Sequence, residues 1–305
     1  MARLTIAAFI VAVTLSSALL FMVEPMVTKM LLPQFGGSAA VWSVAIVFFQ
    51  AALLCGYLYA HLLTRRLGAS RAAMLHLAVL AGGLLLLPIR IGPPQTAAAA
   101  PEIGVLITLV AAIGLPFVAL AANAPLLRAW YAASRLPGAH DPYPLYAASN
   151  AGSLAALLAY PFLVEPRSPL SGQNAAWAAG YLLLIGVIAA ALLLARPLAK
   201  LPAAAPGRIR WRDRSLWLAL ALVPSAGLVA VTAHLSADVA SAPLLWVVPL
   251  ALYLLSFVVV FSTRWSAGAL GLSRGVLPLL LLAAALRQGA GWRFGLAADV
   301  ALDLA

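Results

Sequence analysis

The sequence predicts an all-α protein, a polytopic bundle of about nine to ten transmembrane helices with its N-terminus in the cytoplasm. Three observations predict it. Apolar runs long enough to cross a bilayer recur along the whole 305-residue chain. Charged residues make up 9% of the chain and hydrophobic residues 65%, whereas a soluble domain carries about 25% charged residues. Fourteen of the 19 Lys and Arg residues fall in segments that a cytoplasmic N-terminus places inside, the bias that orients membrane proteins. A bilayer core of about 30 Å takes about 20 helical residues to cross. Backbone groups in lipid must be paired within the segment, so each run has to be a helix.

The first run, 4–32, carries only two charges, Glu24 and Lys29. Arg3 followed by an apolar stretch and Ser16-Ser17-Ala18 imitates a signal peptide, but the run continues well past Ala18. An uncleaved first helix is therefore expected. Further spans are expected over 39–63, 72–89, 103–122, 145–164, 175–195, 216–234, 243–262 and, shorter, 276–286. A tenth starts near Phe294 and is cut off at Ala305, which reads as a fragment or a shortened relative of longer proteins. The main interruption, 196–214, holds Pro197, Pro202, Pro206, Gly207 and six basic residues. It reads as a solvated cytoplasmic linker. The chain then divides into a first bundle of six spans (1–195), the basic linker (196–214) and further spans (215–305).

The net charge of +11 does not indicate nucleic acid, because the basic residues sit in short loops between apolar runs. That placement encodes topology and draws the loops to anionic lipid. The lone cysteine, Cys55, excludes an internal disulfide and a cysteine metal motif. No Walker motif or strand–loop–helix nucleotide unit occurs. The Gly-rich stretch 289–295 follows an apolar helix and lacks both the spacing and the distal acid of a dinucleotide site. No cofactor and no metal are expected.

Ionisable residues within or beside spans are the default functional candidates of such a chain. Glu24 precedes Pro25, which breaks the backbone ladder, and Thr28 lies four residues on, on the same helical face. Glu165 repeats the pattern, since Phe21-Met-Val-Glu24-Pro25 and Phe162-Leu-Val-Glu165-Pro166 share Phe-x-Val-Glu-Pro. Both copies are expected at outer ends, which would suit a parallel repeat rather than an inverted one. His234 and Asp238 lie four apart at the outer end of the seventh span, where a helix would put them on one face; Ser236 and Asp238 are equally suited to a turn and cap. Asn150 can hydrogen-bond across helices, and Gly152 with Ala156 makes a close-packing face.

Several stretches resemble a known family. Leu20-Phe-Met-Val-Glu24-Pro25, Lys29-Met-Leu-Leu-Pro33-Gln-Phe-Gly-Gly-Ser38, Val41-Trp42, Phe48-Phe49-Gln50 and Gly56-Tyr57 are similar to the opening of the spermidine-synthase-like membrane proteins, also described as fused major-facilitator/spermidine-synthase proteins. Tyr146-Ala-Ala-Ser149-Asn150-Ala-Gly152-Ser153 and Pro161-Phe-Leu-Val-Glu165-Pro166 resemble their fifth span. Thr232-Ala-His234-Leu-Ser236-Ala-Asp238 and Pro243-Leu-Leu-Trp246-Val-Val-Pro249 resemble a later pair. The resemblance implies a major-facilitator-like bundle in the inner or plasma membrane. In the family, a soluble aminopropyltransferase-like domain follows the membrane part. This chain stops before any such domain, so catalysis is not expected of it. Two roles remain. One is moving or presenting a small cationic, polyamine-like metabolite bound by Glu24, Glu165, His234, Asp238 and Asn150. The other is a membrane anchor for a separate aminopropyltransferase-like partner. The lipid bilayer is the one partner common to both.

Overall fold

A computed structural model describes residues 1–92, 101–134, 136–195, 210–234 and 247–261, with a few positions between 268 and 279. Regular structure among these residues is helical throughout, as backbone pairing in lipid demands. Among the described residues seven helices are long and apolar enough to cross a membrane: Ala2–Phe35, Ala40–Arg66, Ala69–Leu86, Pro101–Ala132, Tyr143–Val164, Leu170–Leu194 and Trp211–Val231. The chain is an integral, multi-pass membrane protein. A shorter apolar helix covers Val247–Val260. The expected spans at 276–286 and beyond Phe294 fall almost wholly outside the described residues. The chain forms two compact units, Met1–Ala203 and Ala204–Ala305.

The first unit is built around α1 (Ala2–Phe35). At 1.5 Å per residue its 34 residues reach about 51 Å, well beyond a bilayer core of about 30 Å. It runs through Pro25 and Pro33 and stops at Gly36, whose φ of 77° and ψ of 172° lie in a region open essentially to glycine. Ser38 then opens α2 (Ala39–Arg66), its hydroxyl accepting the Val41 N–H at 3.4 Å, as an N-cap does. The third span is α3 (Ala69–Gly83) with a short 3₁₀ turn, and the fourth joins α4 (Pro101–Leu109) to α5 (Leu115–Ala132) through a π turn at Val110–Gly114. The fifth is α6 (Tyr143–Ala159) with a π turn at Tyr160–Val164, and the sixth is α7 (Leu170–Leu194). Each π turn lies beside a proline, Pro116 or Pro161. Proline donates no hydrogen bond, so the ladder there must be re-spaced.

Spans one and four hold the bundle together. Span one packs mainly on spans five and six, and span four mainly on span two, then on span one and to a lesser extent on span three. Exchanging spans one, two and three for four, five and six turns the main pair, one with five, into four with two. The tightest approaches obey the same exchange. A methyl group on Gly152 of α6 would collide with the Thr14 carbonyl of α1. One on Gly56 of α2 would stand 2.8 Å from the Val118 carbonyl oxygen of α5. Helices in lipid gain attraction chiefly by such close packing, which needs small residues. The two Phe-x-Val-Glu-Pro copies sit on spans one and five, which are packing partners.

Side-chain bonds add to the packing around α1. Ser17 Oγ lies 2.7 Å from Ser149 Oγ on α6. Thr14 donates to the Ala148 carbonyl at 3.3 Å, and Ser16 to the Leu120 carbonyl at 3.4 Å. Trp177 Nε1 donates to the Leu19 carbonyl at 2.8 Å. In the second unit α8 (Trp211–His234) carries Pro224 within it and packs on α9 (Val247–Val260). Along α9, Tyr253 and Phe257 meet edge to face at 4.9 Å between ring centroids.

Candidate functional site

Lys29 of α1 and Glu165 at the end of span five meet where the two helices pack. Lys29 forms an ion pair with Glu165, and its ammonium lies 5.6 Å from the centre of the Tyr160 ring. The pairing follows from helix geometry. Lys29 is five residues beyond Glu24, about 140° further around a helix of 3.6 residues per turn, so the two point apart. Neighbours on one helix face are three or four residues apart. Glu165 reaches Lys29 from the adjacent helix instead.

The end of span five is also shaped by its prolines. The Glu165 N–H donates to the Tyr160 carbonyl at 2.8 Å, the five-residue bond of a π turn. Pro166 removes the N–H that would serve the Phe162 carbonyl. The Arg167 guanidinium replaces it, donating to Phe162 O at 2.9 Å and Leu163 O at 3.3 Å. Arg167 is thereby committed to backbone, and Lys29 is the cation that meets Glu165 among the described residues.

Glu24 is half-buried, and its carboxylate has no hydrogen bond or ion pair among the described residues. Thr28, on the same face, does not serve that carboxylate, since its hydroxyl donates to the Glu24 backbone carbonyl at 2.7 Å. Among the described residues Glu165 is thus paired and the Glu24 carboxylate is not. Asn150 does not bridge helices. Its Nδ2 donates to the Tyr146 carbonyl one turn back, at 2.8 Å, while its neighbour Ser149 makes the cross-helix contact to Ser17. The His234 side chain and Asp238 lie outside the described residues.

A second polar group was not foreseen from the sequence. His76 of α3 is fully buried. Its Nε2 lies 2.7 Å from Asn123 Oδ1 on α5, and its Nδ1 3.4 Å from the Tyr59 hydroxyl on α2. With Asn123 Oδ1 as acceptor, the ring proton sits on Nε2 and Nδ1 accepts from Tyr59. Trp130 closes the site, its ring centroid 5.7 Å from that of His76. Asn123 Nδ2 and Trp130 Nε1 are buried donors without a partner among the described residues. One signal for His76 was present in the sequence: Ala69, Ala72, Ala73, His76, Leu80 and Gly83 form the buried stripe of α3 at helical spacing, which places the imidazole on the packed face.

Among the described residues no group of three His, Cys, Asp or Glu side chains is placed to hold a metal ion. No protein-family model, no curated protein and no solved structure matches the chain.

Proposed function

We propose that the chain moves or presents a small cationic metabolite of polyamine type across the inner (plasma) membrane, as the membrane part of a spermidine-synthase-like protein. One observation carries this reading: Glu24 is a half-buried carboxylate beside a proline in an apolar helix, without a cation of its own among the described residues. A carboxylate partly withdrawn from water attracts an ammonium group more strongly than one in bulk solvent. Glu165 is a further acidic group of this reading, and His234 and Asp238 enter it as candidates from their sequence spacing alone. Putrescine uptake into proteoliposomes is the test. Glu24→Gln and Asp238→Asn are each expected to lower uptake about tenfold or more, the scale of one lost charge-assisted contact. Unchanged uptake in both variants removes the reading.

A second reading is favoured by the six basic residues of 196–214, a docking surface for a soluble aminopropyltransferase-like partner on the cytoplasmic side. It predicts that neutralising the acids leaves function intact and that replacing the linker arginines by glutamine releases the partner.

A further inference from the structure

Building on the cation-handling reading above, we propose that Glu165 and the face of Tyr160 form an alkylammonium-binding site, and that Lys29 is its tethered occupant, holding it closed against free ligands. The structure displays the chemistry that the site accepts. A lysine side chain is a butylammonium group fixed to the backbone at one end, and here its head is paired with Glu165 and set over the Tyr160 ring. A carboxylate together with an aromatic face is the combination that recognises a primary ammonium by charge and by the ring quadrupole.

The backbone builds this site. In an α-helix, residues five apart diverge by about 140°. The π turn at Tyr160–Val164, closed by the Glu165 N–H on the Tyr160 carbonyl, stacks residue 165 over residue 160 instead. Both groups thereby face α1. Such single π turns are frequent at functional sites. Tyr160 is 5% exposed, whereas the Lys29 and Glu165 side chains are 27% and 43% exposed. The platform is buried and the ion pair above it is reachable. Exposed ion pairs add little to stability, so exchange of one ammonium for another is energetically easy. Arg167 does not compete, because it is bonded to the Phe162 and Leu163 carbonyls.

A tethered occupant weakens apparent affinity by the fraction of time the site is free. If Lys29 is released one-tenth of the time, its removal tightens ligand binding about tenfold. The experiment uses the full chain in phospholipid nanodiscs, with radiolabelled n-butylammonium as probe and equilibrium dialysis as readout. Lys29→Gln is expected to bind the probe about tenfold more tightly than the unaltered protein. Adding Glu165→Gln should abolish the gain, adding Tyr160→Leu should reduce it, and adding Tyr160→Phe should keep it. Lys29→Glu with Glu165→Lys restores the helix-to-helix pair with reversed polarity. That variant should match the unaltered protein in thermal unfolding yet bind no probe, which separates ligand recognition from a purely structural latch. Should Lys29→Gln bind no more tightly than the unaltered protein, or the reversed pair bind equally well, the proposal is overturned while Glu24-dependent uptake stands. Loss of Glu24 dependence in the uptake assay instead overturns the underlying transport reading.

Discussion

His76 shows what a polar side chain requires inside an apolar bundle. Each ring nitrogen faces a partner, and each partner comes from a different helix. Removing one member leaves the others desolvated and unpaired, which costs more than the bond itself. His76→Leu and Asn123→Leu are each expected to lower unfolding stability by about 2–3 kcal/mol. The double variant His76→Leu/Asn123→Leu should cost less than the sum, because an apolar pair leaves fewer orphaned groups. Thermal unfolding of the four proteins in detergent gives the coupling directly, and strict additivity contradicts the network. The same logic sorts the residues singled out from sequence. Glu24 and Glu165 share a motif and differ in partner because one lies within a helix and the other at the end of one.

Among the helices, the decisive contacts are glycines against backbone carbonyls. Gly152 meets α1 and Gly56 meets α5, each where a β-carbon has no room. A carbonyl oxygen cannot yield as a flexible side chain can. Gly152→Ala and Gly56→Ala are each expected to destabilise the first unit by about 1–3 kcal/mol, measured by thermal unfolding. Gly186 of α7 has open space around its α-carbon, so Gly186→Ala should stabilise by about 0.5–1 kcal/mol through helix propensity alone. Equal effects at all three positions would remove the close-packing account. Gly152 was legible in the sequence as part of a small-residue face. The matching role of Gly56 was not, since small-xxx-small spacing does not say which helix lies opposite.

For the molecule as a whole, lipid decides what counts as surface. Cys55 lies on an exposed part of α2 between apolar neighbours. In a bilayer that face meets acyl chains, where a charged reagent is strongly disfavoured. A membrane-impermeant maleimide is therefore expected to leave Cys55 unlabelled in intact vesicles and to label it after SDS denaturation. Efficient labelling before denaturation would place α2 against water. The exposed Leu, Val and Trp side chains along α8 take the same explanation, since in lipid they need no protein cover.

Residue composition and the spacing of apolar runs were enough to establish an all-helical, multi-pass chain, because a bilayer admits so few backbone solutions. The acids Glu24 and Glu165 were equally visible, since charge is rare in such helices. What remained hidden was which groups meet. The Lys29–Glu165 pair, the burial of His76 between Tyr59 and Asn123, and the packing of span one on span five all join residues far apart along the chain. Local periodicity fixes the face of a helix on which a residue lies. The neighbour on that face is chosen by packing among helices, and no local pattern encodes it.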